Sequence, residues 1–248
     1  MQDQKVIIVT GGSSGIGRAA ALRFARQDNK VLITGRRPDP INEAAAEHAN
    51  IVGLAADASS PKDALRTITE AIDRWGRLDA LVNNAGAGAI LPLAEAKADR
   101  ITDIFSVNVL GPSLLAANAL PYLERTRGTI INVSSTFGHK PAAALSHYAA
   151  SKAALEHLTR CWALELAPAG IRVNAIAAGP TESGALTGMM GLSLEQAATL
   201  KEQERVQIPL GRRGIPDDIA NWIVRLAGSE AEWMTGQVIS VDGGLGLT

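Results

Sequence analysis

Apolar and polar positions along this chain follow two periods in alternation. Short runs rich in Val and Ile, bounded by Gly, Asn or Asp, fall near residues 6–10, 31–34, 51–55, 78–82, 129–133, 172–176 and 237–241. Longer stretches with a 3.6-residue apolar period lie between them, at 15–26, 62–75, 100–123, 146–166 and 216–226. The first pattern predicts strands and the second amphipathic helices. Strand and helix in strict alternation predict an α/β fold, a doubly wound parallel sheet of about seven strands with helices on both faces. No Pro/Gly/Ser-rich linker and no repeat interrupts the pattern, so 1–248 reads as a single domain. The least regular stretch, 182–206, carries Gly184, Gly188, Gly191 and the pair Met189-Met190 before a charged helical run. Its place between a strand and the next helix suits a mobile flap over a site. A surface excursion or an oligomer contact fits the same pattern.

Composition narrows the field of functions. The chain has 248 residues, 46% of them hydrophobic and 20% charged, which is ample for a globular core. Twenty-four basic and twenty-five acidic side chains leave a formal charge of -1 with no basic stripe, against nucleic-acid or anionic-membrane partners. The first strand begins almost at once, without an apolar leader, and no run approaches the ~18 apolar residues of a membrane span. A cytoplasmic location is therefore expected. Cys161, the single cysteine, has no intrachain partner and, in an apolar helical stretch, reads as a packed core thiol. Trp75, Trp162, Trp222 and Trp233 are scattered and read as packing anchors. No His-Glu-x-x-His, cysteine pair or carboxylate cluster suggests a metal site.

The chemistry begins after the first strand, at Thr10-Gly11-Gly12-Ser13-Ser14-Gly15-Ile16-Gly17. Glycines at 11, 15 and 17 permit a tight turn, close approach of backbone to phosphate and close helix–strand packing. The helix start then offers free N–H groups to a pyrophosphate. Residues 11–15 also match G-x-S-x-G, the nucleophile elbow of hydrolases. That reading needs an acid and then a histidine far downstream. His48, His139, His147 and His157 all lie before the last third of the chain, so it is set aside. Where the second strand ends, the ribose end of a dinucleotide is read by an acidic residue in NAD-binding sites. Here Gly35 is followed by Arg36 and Arg37, guanidinium groups suited to a 2′-phosphate. The pair favours NADP(H) over NAD(H).

With these motifs, the chain resembles the short-chain dehydrogenase/reductase family over almost its whole length. The turn matches that family's Thr-Gly-x-x-x-Gly-x-Gly, which implies cofactor contacts from Gly11, Ser13, Ser14, Gly15, Ile16 and Gly17. Asp57, with Ala58 beside it, resembles the segment that meets the adenine. Asn83-Asn84-Ala85-Gly86 is similar to the family's sheet-stabilising and cofactor-lining segment, and Asn108 to its helix-kinking asparagine. Ser135, Tyr148 and Lys152 match the catalytic serine and the Tyr-x-x-x-Lys pair. The sequence departs from the pattern at Ala178-Gly179-Pro180-Thr181, where Pro-Gly is usual, and at Ser183, where threonine is usual. By resemblance Gly179 lets the nicotinamide approach, Thr181 lines its site and Ser183 anchors the carboxamide.

The residue types suit acid–base and hydride chemistry. Tyr148 and Lys152 are one helical turn apart and share a face. An ammonium favours the phenolate of a tyrosine that is otherwise a poor base, and Lys152 can also bond the nicotinamide ribose. Ser135 would orient the substrate oxygen, and Asn108, by resemblance, would hold a water leading to Lys152. Ser134 is the competing serine, but strand alternation points it to the other face. His139 and His147 flank the expected pocket as exposed loop or helix-start residues. The reading is an NADP(H)-dependent reductase of a ketone or dehydrogenase of a secondary alcohol. An NAD(H)-dependent alcohol dehydrogenase and a non-enzymatic nucleotide sensor or scaffold are the alternatives. Stretches 87–93, 136–145 and 181–192 are mostly small or apolar, which favours a largely uncharged carbonyl substrate. The apolar helices at 100–123 and 146–166 suggest a homo-oligomer, a dimer or tetramer.

Overall fold

The first apolar run forms β1 (Val6–Thr10), buried at every position. A strand with no exposed face must lie inside a sheet covered on both sides. In the computed structural model, which describes residues 4–248, β1 pairs in parallel with β2 (Lys30–Gly35) and β4 (Ala80–Asn83). β3 (Ile51–Ala55), β5 (Thr129–Ser135), β6 (Arg172–Ala178) and β7 (Val238–Val241) complete a seven-stranded parallel sheet in the order β3-β2-β1-β4-β5-β6-β7. This is the doubly wound α/β architecture expected from the sequence.

Strand alternation divides the core into two layers. Ile7, Val9, Val31, Ile33 and Val82 face α1 (Gly15–Arg26), α2 (Pro38–Ala45) and α9 (Pro216–Ala227), through Phe24, Ile41 and Ile223 among others. Val6, Ile8, Leu32 and Leu81 face α3 (Pro61–Trp75), α5 (Gly111–Thr126) and α6 (Ser146–Leu166), through Ile68, Leu123 and Ala163. Each fully buried aliphatic side chain contributes roughly 1.5–3 kcal/mol, so the two layers are the main source of stability.

Several sequence expectations are corrected by the packing. α2 was not among the helices expected; it opens on Pro38, and a proline at the helix start lacks only an N–H that the helix does not use. The single helix expected over 100–123 is two, α4 (Ala98–Phe105) and α5, joined by a π-turn at Ser106–Leu110. Together they make a 29-residue rod, Ala98–Thr126, long and apolar enough by length and composition to cross a membrane, although it holds no uninterrupted run of ~18 apolar residues. Its buried residues Leu115, Ala119 and Leu123 pack on the sheet, the place of a core helix. Cys161 is exposed rather than packed, because α6 turns the face bearing Tyr148, Lys152, Leu155, Thr159 and Ala163 inward. Trp75 and Trp162 do pack on the core, but Trp233 is 100% exposed and Trp222 39%, so neither anchors it.

The stretch expected to form a flap contains α7 (Ala185–Gly188) and α8 (Leu194–Gln207), the latter started by a Ser193–Gln196 capping box. Its base is tied by the buried Arg213, which pairs with Glu182 and Glu204 and donates to the Thr181 carbonyl at 2.8 Å. Lys201 of α8 also pairs with Glu182.

Gly17 shows how tightly α1 meets the sheet. A Cβ there would lie 2.3 Å from the Gly11 carbonyl oxygen and 2.4 Å from Asn84 Nδ2. Within an ordinary helix Gly→Ala gains about 1 kcal/mol. Here overpacking reverses the sign, and Gly17→Ala is expected to cost about 1–3 kcal/mol. The urea midpoint measures it, and a midpoint equal to or above that of the wild type would contradict this packing.

Candidate active site

The strand order places a crevice between the ends of β1 and β4, because the chain leaves β1 toward one face of the sheet and β4 toward the other. Hydrogen bonds pin this crevice. Thr10 Oγ1 donates to the Val82 carbonyl and accepts the N–H groups of Asn84 and Ala85, both at 3.0 Å. Asn84 Nδ2 donates to the carbonyls of Thr10 (2.8 Å) and Gly11 (3.2 Å). Gly11 and Gly15 have φ of 65° and 52°, a backbone that side chains rarely tolerate. Ser14 caps α1 in extended conformation with no side-chain cap bond, leaving the first-turn N–H groups for a ligand. A turn of this shape with unsatisfied amides at a helix start fits a pyrophosphate. Ser13, Ile16 and Gly17 lie on the same turn and first helical turn.

At the far side of β2, a Cβ on Gly35 would lie 3.5 Å from Ser13 Oγ, so the turn and the strand end adjoin. Arg36 and Arg37 follow at exposed positions and have no ion-pair partner among the described residues. Asp57 is held in place: its Oδ1 accepts from Ser59 N–H (2.9 Å) and Oγ–H (2.7 Å), and its own N–H donates to Asp63. The N–H bond from Asp57 and the Arg66 guanidinium hold the Asp63 carboxyl below its ordinary range. The Ala58 carbonyl lies against Gly111, where a Cβ would come within 2.5 Å of it.

The residues expected to carry chemistry converge at the ends of β4 and β5. Tyr148 and Lys152 are buried on α6, with Lys152 Nζ 5.9 Å from the centroid of the Tyr148 ring. Lys152 Nζ donates to the Val133 carbonyl at 2.9 Å. Burial pulls the Lys152 ammonium down to about 8, against the opposing charge of Glu156. Burial also pushes Tyr148 above its ordinary value, and a bond with the Ser135 hydroxyl opposes that shift. The sequence argument had the ammonium favouring the phenolate; in the chain without ligand, desolvation is the larger effect and keeps the phenol protonated. Ser135 Oγ also accepts the Phe137 N–H at 3.3 Å.

Asn108 lies in the π-turn, fully buried, where it bonds Ala87 twice: its Oδ1 accepts the Ala87 N–H and its Nδ2 donates to the Ala87 carbonyl, both at 2.8 Å. Nδ2 also donates to Ser151 Oγ at 2.9 Å. Gly86 lies close by; a Cβ on it would be 3.6 Å from Asn108 Oδ1 and 3.7 Å from Lys152 Nζ. The π-turn thus clamps the segment after β4 to α6. Ser151 was not singled out in the sequence, since a serine beside the lysine motif carries no pattern of its own.

The segment after β6 packs on the C-terminal turn. A Cβ on Gly179 would strike the Asp242 backbone at 2.5 Å, so this packing by itself calls for a glycine at the position expected to face a nicotinamide. Thr181 is buried, bonding the Gly179 carbonyl through Oγ1 at 2.9 Å. Ser183 reaches the glycine turn, its Cβ 3.3 Å from where a Cβ on Gly15 would be. Met190, in the stretch expected to form the flap, has its Cε 2.9 Å from the Cβ position of Gly88, which is itself 3.0 Å from Tyr148 Cδ2. Only the fold brings this methionine over the tyrosine, 42 residues earlier in the chain. No group of three or more His, Cys, Asp or Glu side chains among the described residues could hold a metal ion.

Comparison with known proteins agrees with this geometry. Residues 11–246 match a family model described as enoyl-(acyl carrier protein) reductase. The chain is 35% identical to the 3-oxoacyl-[acyl-carrier-protein] reductase of Thermotoga maritima, over 97% of both chains. It is 34% identical to the mitochondrial dehydrogenase/reductase SDR family member 2 of Homo sapiens, over 96% of this chain and 85% of that one. Among solved structures, 3-ketoacyl-(acyl-carrier-protein) reductase from Brucella melitensis complexed with NADH superposes with a TM-score of 0.90, at 32% identity over 98% of each chain. Fold, matched length and identity agree: the chain belongs to the short-chain dehydrogenase/reductase family of oxidoreductases.

Proposed function

We propose that the protein is an NADP(H)-dependent reductase of largely uncharged ketones, working in reverse on secondary alcohols. The observation that carries this reading is the convergence of Ser135, Tyr148 and Lys152 beside the glycine turn. The cradle fits a dinucleotide: Gly11–Gly17 and Asn84–Gly86 would hold its phosphates and nicotinamide side, Asp57 and Ala58 its adenine, and Thr181 and Ser183 its carboxamide. When bound, that group supplies or accepts the hydride.

The side chains do the rest. Ser135 Oγ–H donates to the carbonyl oxygen and holds it beside Tyr148. Tyr148, kept protonated by burial, gives its proton to that oxygen as the alcohol forms. Lys152, held on the Val133 carbonyl, places its positive charge near the resulting phenolate. Asn108 fixes the wall against which Lys152 packs, its amide committed to Ala87 and Ser151. Met190 and the partly apolar 182–206 segment exclude water from above, in the manner of a mobile flap.

The substrate class follows from the lining and from the relatives. The pocket stretches carry few charges, and two of the relatives are named for 3-oxoacyl or 3-ketoacyl thioester carriers. A 3-ketoacyl thioester therefore heads the panel, with simple ketones after it. Arg36 and Arg37, exposed and without carboxylate partners among the described residues, support the phosphorylated cofactor. A cytoplasmic homo-oligomer, dimer or tetramer, completes the proposal.

Three measurements test it. Tyr148→Phe should lose about 10²-fold or more in turnover while dinucleotide affinity changes little; a nucleotide sensor would keep its function in that variant. The wild type should prefer NADPH, and the Arg36→Ala/Arg37→Ala pair should cut the NADPH-to-NADH ratio of kcat/KM by about tenfold or more. A wild type that prefers NADH overturns the reading of both arginines. Reduction should also decline as pH rises through about 8, because Lys152 then loses the charge that stabilises the phenolate. A flat profile from pH 7 to 9 would remove Lys152 from this role.

A further inference from the structure

Behind the proposed catalytic residues lies a second set of polar side chains that the mechanism above leaves unused. Glu156 is one helical turn beyond Lys152 on α6 and is only 4% exposed. An isolated carboxylate at such a depth is costly, and it normally neutralises unless something holds its charge. Three groups surround this one. Ser134 Oγ–H donates to Glu156 Oε1 at 2.8 Å and lies 3.3 Å from the Lys152 carbonyl oxygen. His139 Nδ1 approaches the same Oε1 at 3.4 Å, while its Nε2 lies 3.4 Å from Ser240 Oγ. Gly138 completes the enclosure: a Cβ there would come within 2.4 Å of Oε1.

The two serines at the end of β5 therefore serve different groups. Ser135 bonds Tyr148, and Ser134 bonds the carboxylate behind Lys152. Lys152 itself donates to one neutral partner among the described residues, the Val133 carbonyl. Glu156 makes no ion pair with it within 4 Å, so its influence is that of a nearby charge across the low-dielectric interior. The charge of Glu156 accordingly opposes the downward pull of burial on Lys152. Other charges near this part of the molecule are placed elsewhere. Asp99, Arg100 and Asp103 of α4 are exposed, Arg172 of β6 donates to the carbonyls of Leu226 and Ala231, and Asp242 accepts from Thr136. That leaves Tyr148, Glu156 and His139 as the titratable groups around Lys152.

We propose that Glu156 is a positioning residue for Lys152: fixed by Ser134 and bridged toward solvent by His139, its carboxylate is the counter-charge that keeps the buried Lys152 ammonium protonated. The inference rests on the reading of Lys152 as the partner of Tyr148, but its first test does not. Lysine labelled with ¹³C at Cε is titrated by NMR in the cofactor-free full chain, the Lys152 signal being the one lost in Lys152→Met. Glu156→Gln keeps an acceptor for Ser134 and removes only the charge. In that variant the Lys152 midpoint should fall by about one pH unit, and the alkaline decline of ketone reduction should move down with it through kcat rather than KM. An unchanged Lys152 midpoint in folded Glu156→Gln overturns the proposal.

Should that variant not fold, the wild type supplies the same answer. The Glu156 ¹³Cδ signal should inflect where Lys152 titrates; no inflection overturns the proposal. A lowered Lys152 midpoint in a protein that reduces no ketone on the panel supports the role of Glu156 and counts against the function proposed above.

Discussion

In a parallel sheet whose central strands send their connections to opposite faces, two neighbouring strand ends must separate, and the gap between them cannot be filled by secondary structure. In this protein the gap lies between β1 and β4, and its width is set by Thr10 and Asn84. One hydroxyl and one amide close the ladder at its last rung and hold the glycine turn above it. The turn can then keep Gly11 and Gly15 in the left-handed region with its amides directed outward. The start of α1, the end of β2 and the segment through Gly86 all take their places from that clamp.

The second constraint is the burial of charge on α6. Lowering the lysine from 10.5 to about 8 represents on the order of 3 kcal/mol of opposition between the ammonium and its surroundings. Because the folded state holds this proton less firmly than the unfolded chain, the cost is full below about pH 8 and is relieved as pH rises toward the ordinary lysine value. Such a group persists because the structure around it is over-determined. The Val133 carbonyl fixes its head, Gly86 lies beside it, and Asn108 locks the opposite wall through the π-turn.

Much of the fold was legible because its signals are local and repeated. Runs such as Val6–Thr10 are apolar at every position, and only a strand covered on both faces accounts for them. The glycine spacing and the Tyr148–Lys152 interval could be read because each belongs to one element and its period. Other features have no local signature. α2 begins Pro-Asp-Pro, which serves equally as a turn, and its formation depends on Ile41 finding the core beside Gly35 and Gly53. Cys161 and Leu164 stand in an apolar stretch yet face outward, since composition does not say which side of a helix meets the sheet.

The sequence by itself determined the α/β class, the order of elements, the glycine turn and the Tyr148–Lys152 interval, because each rests on spacing along one strand or helix. The tertiary structure decided which distant residues share a space. It brought Met190 and Tyr148 to either side of Gly88, set Asp242 against Gly179, and placed Ser134, His139 and Glu156 behind Lys152. These contacts join residues far apart in the chain, and they form only when the two core layers and the C-terminal turn close on the same strand ends. No period along the chain encodes such a meeting.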